Sequence, residues 1–288
     1  MAKIVNMENP FHNGNTTKGR IPPDAYVIII GAMKCGTTSL FSYLSEHPFI
    51  CAAKVKEPEF FSEHQKHKIH FNRYADLWPD FDSVVHRYVM EASTGYTKYP
   101  WESCVPERIR DYGIKPKFIY IMRDPFDRIE SHFNFNKGKK GWNLDICDKQ
   151  LISVSNYYVQ LEHFRRFFSK EDMLLLDFDD LSRNPAEILT KVFQFLDLPP
   201  HLPDQYGIKN PTLTIPWYFR RIIYRLNPYY PESVKGVSKK ILMSWISQQK
   251  KYTLSDKERK YIQGTLQDDM KCLHFVYGVS VQKWGFKT

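Results

Sequence analysis

A continuous apolar run that ends in a glycine-bracketed turn is the feature that most constrains the fold of this chain. Tyr26 to Ile30 read Tyr-Val-Ile-Ile-Ile, a composition typical of a central parallel strand covered on both faces. Gly31 and Gly36 bracket the turn that follows, and the apolar spacing of residues 38–44 predicts a helix behind it. A turn between a strand and a helix directs backbone N–H groups and the positive end of the helix towards an anion. The stretch therefore predicts a phosphate site in an α/β protein.

The lysine of this turn is not where a nucleotide-triphosphate loop carries it. Such loops place lysine directly after the second glycine, where this chain has Thr37; its lysine is Lys34, inside the turn. The sequence also has no convincing strand that ends in a magnesium-binding aspartate, since Asp177 and Phe178 break the candidate run. The pattern disfavours an ATPase or kinase. We expect Lys34 to contact a group that leaves from the bound phosphate, with the hydroxyls of Thr37 and Thr38 as further donors.

Further apolar runs alternate with helical patterns along the chain. Strands are predicted at 84–90, 117–122 and 173–178, and helices at 106–112, 125–135, 151–168, 184–196 and 255–277. This alternation predicts an α/β fold with a mostly parallel central sheet flanked by helices. We expect an N-terminal arm at residues 1–24 and a single domain at 25–288, in which residues 199–250 form an irregular or mobile segment.

Composition limits the class of protein and its surroundings. The 288 residues are 42% apolar and 25% charged, as in globular proteins. Five cysteines without paired spacing predict neither a disulfide framework nor a zinc site, and the polar start of the chain predicts no secretory signal. We therefore expect a cytoplasmic protein without a membrane or nucleic-acid partner. The net charge of +9 fits an acidic ligand, although scattered basic residues also suit a solvated surface.

A second anion-binding pattern follows about ninety residues after the first. Arg123 comes directly after the predicted strand 117–122, and Ser131 lies eight residues later on the helix that Pro125 begins. A guanidinium grips a phosphate with two hydrogen bonds, and a serine on the following helix can turn its hydroxyl to the same group. Both patterns lie at the carboxyl ends of strands, where ligands bind in parallel sheets.

Three segments of the chain resemble sulfotransferases that use 3′-phosphoadenylyl sulfate (PAPS). Gly31-Ala-Met-Lys-Cys-Gly-Thr-Thr38 resembles their 5′-phosphosulfate loop, and Ile121 to Ser131 resembles their 3′-phosphate motif. Lys54-Val-Lys-Glu-Pro-Glu-Phe-Phe61 resembles a segment of heparan-sulfate sulfotransferases and their bacterial relatives. The resemblance covers most of residues 26–198 and, more loosely, 253–286. It implies the P-loop-like sulfotransferase fold, PAPS as co-substrate, 3′-phosphoadenosine 5′-phosphate (PAP) as product, and no metal.

The resemblance also implies roles for single residues. Lys34 would stabilise charge on the oxygen that leaves from the sulfuryl group, and Glu57 matches the catalytic base. The expected nucleotide contacts are Lys34, Cys35, Gly36, Thr37, Thr38, Ser39, Arg123, Ser131, Lys250 and Lys251. One departure stands at Ala92, where heparan-sulfate enzymes carry a lysine. It favours the broader bacterial branch over a heparan-type acceptor.

Several assignments stay open on the sequence alone. The rivals of Glu57 as the base are three histidines: His47, His64 and His132. Other open candidates are Lys56 as a second cation, Tyr157 and Ser155 near the cofactor edge, and Lys235-Gly236 as the late basic loop in place of Lys250-Lys251. The acceptor is expected to be a hydroxyl or amine of a small molecule or carbohydrate, with residues 199–250 on its side. The alternative classes are a P-loop nucleotide kinase and a non-catalytic binder of acidic polymers.

Overall fold

The apolar run at residue 26 forms the central strand of a five-stranded sheet. The computed structural model describes residues 20–63, 73–139, 141–203, 206 and 251–288. Its strands are β1 (Tyr26–Gly31), β2 (Ile50–Ala52), β3 (Tyr88–Ala92), β4 (Lys117–Met122) and β5 (Met173–Asp177). They lie in the order β2-β3-β1-β4-β5, and every pair of neighbours is parallel. The predicted α/β fold with a parallel central sheet is confirmed.

Helices flank the sheet and follow the predicted alternation. They are α1 (Thr37–Leu44), α2 (Val105–Tyr112), α3 (Pro125–Asn136), α4 (Lys149–Ser153), α5 (Tyr157–Arg165), α6 (Phe178–Arg183), α7 (Pro185–Phe195) and α8 (Asp256–Tyr277). Short 3₁₀ helices span Tyr74–Leu77, Thr94–Thr97, Lys170–Asp172 and Gln282–Trp284. Among the residues described, no helix is both long and apolar enough to cross a bilayer.

The register of the sheet brings the predicted anion-binding segments to one edge. Ile28 of β1 is level with Glu91 of β3 and with Phe118 of β4. Since the three strands are parallel, the turn after Gly31, the turn after Ala92 and Arg123 all leave the sheet at its carboxyl edge. The fold therefore assembles one site from segments that are far apart in the sequence.

The last long helix is fixed to the body by buried polar contacts. Asp269 of α8 accepts hydrogen bonds from the backbone N–H groups of Tyr158 (3.1 Å) and Val159 (3.0 Å), at the beginning of α5. A capping box begins this helix: Ser255 caps α8, and the Glu258 carboxylate accepts from the Ser255 N–H at 2.7 Å. Buried leucines of α8 complete the packing.

Two predicted elements differ clearly from the structure, and one strand is additional. The strand expected at 84–90 is Tyr88–Ala92, because Val84 lies in a turn and is 92% exposed. The helix expected at 151–168 is two helices, α4 and α5, with a break at Ser155. The three-residue β2 was not predicted. Most of the predicted arm (1–19) and of the segment 199–250 (204–205 and 207–250) lies outside the described residues.

Candidate active site

The turn between β1 and α1 has the geometry of an anion-binding loop. Gly36 begins α1 with a φ of 85°, and a Cβ at this position would lie 2.6 Å from the Phe178 ring. Glycine is therefore required both by the backbone and by the neighbouring ring. The N-cap residue is Gly36, so no side-chain hydrogen bond caps α1 within the part of the chain that the structure describes, and the first-turn N–H groups face the space that a phosphate would fill. Thr37, Thr38 and Ser39 form that first turn.

Cys35 supports this loop from below. Its backbone N–H donates to the Ala32 carbonyl at 3.2 Å, so that amide is engaged within the turn. The Sγ is buried and lies 3.9 Å from the Tyr157 hydroxyl. Burial raises the pKa of the Cys35 thiol to about 12, which keeps the thiol protonated and packed.

Lys34 extends from the loop over an aromatic ring. Its backbone is left-handed (φ 72°), and its Nζ lies 4.1 Å from the centre of the Phe135 ring. The Nζ of Lys139 lies 3.6 Å from the same ring. Burial lowers the pKa of Lys34 to about 8, and repulsion from Lys139 acts in the same direction. An anion bound in the loop would stabilise the charged form of Lys34.

Arg123 lies at the end of β4 with donor capacity left over. Its Nη2 donates to Asp127 at 2.8 Å, and its guanidinium carbon lies 4.9 Å from the centre of the Phe178 ring. Its Nε is buried and has no hydrogen-bond partner among the described residues. A buried guanidinium N–H needs an acceptor, so this atom fits an anionic ligand. Ser131 lies eight residues further along, half-buried on α3.

Phe178 is a site residue that the sequence analysis did not identify as such. Its ring lies between the glycine turn at Gly36 and the guanidinium of Arg123. It therefore forms a wall between the two anion-binding segments. The sequence carried no signal for this role, because the apolar pattern places Phe178 at the end of the predicted strand 173–178.

Two donors hold the Glu57 carboxylate, one from the preceding residue and one from the turn after β3. Its Oε1 accepts from Lys56 Nζ at 2.7 Å, and its Oε2 accepts from Thr94 Oγ1 at 2.9 Å. Its backbone N–H donates to the Ala92 carbonyl at 2.8 Å. Burial by itself would raise the pKa of Glu57, but Lys56 and the two hydrogen bonds hold that pKa below its ordinary value. The carboxylate is therefore ionised at neutral pH, and 39% of the side chain stays exposed.

Two neighbouring glutamates have the opposite electrostatic character. Burial raises the pKa of Glu59 to about 8, although Ser62 Oγ (2.6 Å) and the Gly95 N–H (2.9 Å) donate to its carboxyl group. Burial likewise raises the pKa of Glu91 to about 7, within a set of donors made of Tyr74, Ser93 and Tyr96. When environments push carboxyl pKa values apart, they separate the roles of the groups. Of the three groups, Glu57 is the one whose pKa lies below its ordinary value.

Lys98 adds a cation that the sequence analysis missed. Burial lowers its pKa, while the nearby carboxylates of Glu59 and Glu57 favour its charged form. Lys98 follows the turn after β3, six residues beyond Ala92. No motif marks it, so only the folded turn brings it towards Glu57.

The candidate histidines occupy different environments. His47 is buried at the end of α1, with its Nε2 3.0 Å from the Pro199 carbonyl and its ring against Phe193. These contacts describe a structural helix-end residue. His132 is buried with its Nδ1 3.3 Å from Arg128 Nη1, and burial together with surrounding cations keeps its pKa well below the ordinary value. His64 lies outside the described residues.

Three further predicted residues lie on α5, in the break before it and in the segment before α8. The Tyr157 hydroxyl donates to the Arg123 carbonyl at 2.7 Å, and Ser155 Oγ accepts from Arg128 Nε at 2.5 Å. Lys251 is exposed, and the next residue, Tyr252, exchanges two 2.8 Å hydrogen bonds with Asn134 of α3. Lys251 thus lies beside the helix that carries Ser131. Lys235, Gly236 and Lys250 lie outside the described residues.

Within the described ranges, no group of three or more His, Cys, Asp or Glu side chains is placed to hold a metal ion. What the geometry does offer is an uncapped helix end, a lysine inside the turn, an arginine at the next strand and an ionised carboxylate. A parallel α/β sheet with this edge is the arrangement in which nucleotides are commonly bound through their phosphates.

Comparison with known families makes the class more specific. Residues 24–209, more than half of the chain, match the Sulfotransferase domain family. The chain therefore belongs to the sulfotransferase family, whose members generally take the sulfuryl group from PAPS.

Individual relatives agree with this family. The chain is 25% identical over 198 residues to the bifunctional heparan sulfate N-deacetylase/N-sulfotransferase 4 of Mus musculus, over 60% of this chain and 22% of the relative. It is 28% identical over 221 residues to the heparan sulfate glucosamine 3-O-sulfotransferase 5 of Mus musculus, over 69% of this chain and 62% of the relative. The chain thus spans less than two thirds of either relative's length. A solved sulfotransferase from Alicyclobacillus acidocaldarius shares the fold, with a TM-score of 0.64 at 19% identity over 91% of this chain and 98% of that chain.

Proposed function

We propose that this protein transfers the sulfuryl group of PAPS to a hydroxyl or amine of a small-molecule or carbohydrate acceptor and releases PAP. The observation that carries the proposal is the convergence of three segments at one sheet edge: the Lys34 turn, Arg123 and the ionised Glu57. Sulfuryl transfer needs in-line positioning and neutralised charge on the leaving oxygen. These segments supply both.

The nucleotide would be held at both of its phosphate ends. The amides and hydroxyls of residues 36–39 would take the 5′-phosphate at the beginning of α1. Arg123, through its buried Nε, and Ser131 would take the 3′-phosphate. Lys251 would approach the 3′-phosphate from the segment that Asn134 fixes to α3.

Lys34 would act on the bond that breaks. From its place inside the turn, its ammonium would reach the 5′-phosphate, from which the sulfuryl group departs. Negative charge grows on the bridging oxygen as the S–O bond breaks, and a fixed cation there stabilises the transition state more than the ground state. Burial and the Phe135 face hold the ammonium beside the turn before transfer.

Glu57 would act on the attacking group. Its carboxylate is ionised and partly exposed, so it can accept the proton that the acceptor loses. Lys56, bound to Oε1, would serve as the second cation and limit rotation of the carboxylate. His47 makes structural contacts only within the described residues, and the positive surroundings of His132 disfavour protonation there.

A transfer assay with labelled PAPS tests the proposal. The acceptor panel contains a heparan oligosaccharide with free amines, a second one with free hydroxyls, p-nitrophenol and a primary alkylamine. Mass spectrometry identifies the sulfated product, and we expect one acceptor class to exceed the rate of PAPS hydrolysis in water.

Calorimetry with PAP and AMP provides a second measurement that does not depend on the acceptor. We expect PAP to bind at least about tenfold more tightly than AMP, because Arg123 and Ser131 contact only the 3′-phosphate. Equal affinity for the two nucleotides would remove the role of these residues, and absence of binding together with absence of transfer would refute the function.

A further inference from the structure

We propose that Thr94 is a positioning residue for the base: its hydroxyl fixes the Glu57 carboxylate so that one oxygen faces the acceptor. The inference rests on the proposed function, since it assigns a task within that site. It concerns a threonine that carries no motif and lies 37 residues from Glu57 in the sequence.

The contacts of Glu57 differ in the freedom that they leave to the carboxylate. Lys56 is its neighbour in the chain and has a long flexible side chain, so its ammonium can follow the carboxylate through a rotation. Thr94 is 3% exposed, and it begins the short 3₁₀ helix directly after β3. The position of its hydroxyl is therefore fixed by the fold. The 2.9 Å bond from Thr94 ties Oε2 to the sheet edge and leaves Oε1 with Lys56.

The backbone around Glu57 cannot supply this orientation alone. Glu57 has a left-handed φ of 60°, and one N–H bond to Ala92 holds its main chain. That bond fixes the beginning of the side chain but not the plane of the carboxylate. Thr94 attaches the carboxylate to the turn after β3, close to the Ala92 carbonyl that holds the main chain of Glu57. The main chain and the carboxylate of Glu57 are therefore both held at the same end of β3.

Several charged groups lie around Glu57 and Thr94, so the Thr94 hydroxyl is expected to contribute orientation rather than charge. Lys56, Lys98 and Lys34 face Glu57 as cations, and Glu59 and Glu91 are its carboxyl neighbours. Point charges of this kind stabilise the ionised form in many orientations, whereas a hydroxyl donor acts along one direction. Removal of Thr94 should therefore disturb alignment more than it disturbs charge.

The test compares Thr94→Val, which keeps the shape and loses the donor, with Thr94→Ser, which keeps the donor. Thr190→Val is the matched control, because the Thr190 hydroxyl donates to the Ala186 carbonyl on α7, away from Glu57. The probes are PAP release from PAPS in water and transfer to the best acceptor of the panel. We expect Thr94→Val to lower kcat about tenfold, the effect of one hydrogen bond to a charged group. Thr94→Ser and Thr190→Val should stay within about twofold of the parent.

Two further measurements separate orientation from stability. The affinity for PAP and the Tm of Thr94→Val should match those of the parent protein. Because a donor lowers the pKa of a carboxylate, its loss should move the acid limb of the kcat/KM profile to higher pH in Thr94→Val but not in Thr94→Ser.

The outcomes distinguish the inference from the function beneath it. An unchanged rate in Thr94→Val, an equal loss in Thr94→Ser, or a loss that parallels Tm or PAP affinity overturns the role of Thr94 while sulfotransfer stands. A parent protein that binds no PAP and releases none from PAPS overturns the proposed function first.

Discussion

A few neighbouring atoms can shift the pKa values of side chains of one type in opposite directions, as they do for Glu57, Glu59 and Glu91. Glu57 has a lysine partner and a partly exposed side chain, so it stays ionised, whereas burial favours the protonated form of Glu59 and Glu91. Gly95 takes part in this separation, because a Cβ there would lie 2.2 Å from the Glu59 carboxyl group. The local environment of each carboxyl group therefore decides which of the three is able to act as a base.

Glu57→Gln tests that decision. The amide is nearly isosteric, so the fold and the affinity for PAP should persist while transfer falls by about a hundredfold or more. Single-turnover transfer with the true acceptor measures the rate. The loss should shrink for acceptors whose attacking group is already deprotonated, and an unchanged rate would assign the base to another residue.

Lys34→Ala tests the cation inside the turn. Charge on the leaving oxygen is greatest in the transition state and product, so single-turnover transfer should fall by at least about a hundredfold, and more than the affinity for PAP. Lys191→Ala, which removes an exposed lysine of α7, is the control. Normal single-turnover transfer in Lys34→Ala would contradict the assigned role.

At the scale of elements, the sequence predicted those strands and helices whose limits are set by local chemistry. β1 and β4 are continuous apolar runs, Pro125 begins α3, and left-handed glycines end α2 and α8 at Gly113 and Gly278. These signals are confirmed because they do not depend on distant partners.

The elements that were missed depend on tertiary contacts. Ser155 interrupts the predicted long helix, where its hydroxyl accepts from the buried Arg128. β2 has three residues, too few for a period to appear, and it exists through pairing with β3. The same reason hides Thr94, Lys98 and Phe178, which join the site only when the strand ends meet.

Asn134 tests an element-level contact, the attachment of the segment 251–254 to α3. Asn134→Ala removes both hydrogen bonds to Tyr252, so Lys251 loses its fixed place beside α3. We expect the affinity for PAP to fall about tenfold and that for AMP to stay unchanged, because Lys251 is assigned to the 3′-phosphate. Calorimetry measures both affinities, with Asn184→Ala as a control on an exposed side chain. Equal loss for the two nucleotides would remove Lys251 from the nucleotide site.

At the scale of the whole molecule, the buried glutamates couple stability to pH. The folded-state pKa is about 8 for Glu59 and about 7 for Glu91, and the ordinary value is 4.5. The folded state thus holds protons on these two groups that the unfolded state releases, so the stability that they contribute is fully present below about pH 4.5 and is lost as pH rises towards 8. Urea unfolding between pH 5.5 and 8.5 should show this decline, and Glu91→Gln should make it shallower. An identical slope in the variant would contradict the shift at Glu91.

The buried hydrogen bonds of Asp269 connect the last long helix, α8, to the candidate ligand site through α5. Asp269 holds the beginning of α5, Tyr157 of α5 donates to the Arg123 carbonyl, and Arg123 is the residue that we propose for the 3′-phosphate. The family match stops at residue 209, yet this line of contacts begins at residue 269. The end of the family match is therefore not the end of the contacts that support the matched residues. A chain cut after residue 209 would keep every matched segment, but it would lose the hydrogen bonds by which Asp269 holds the beginning of α5.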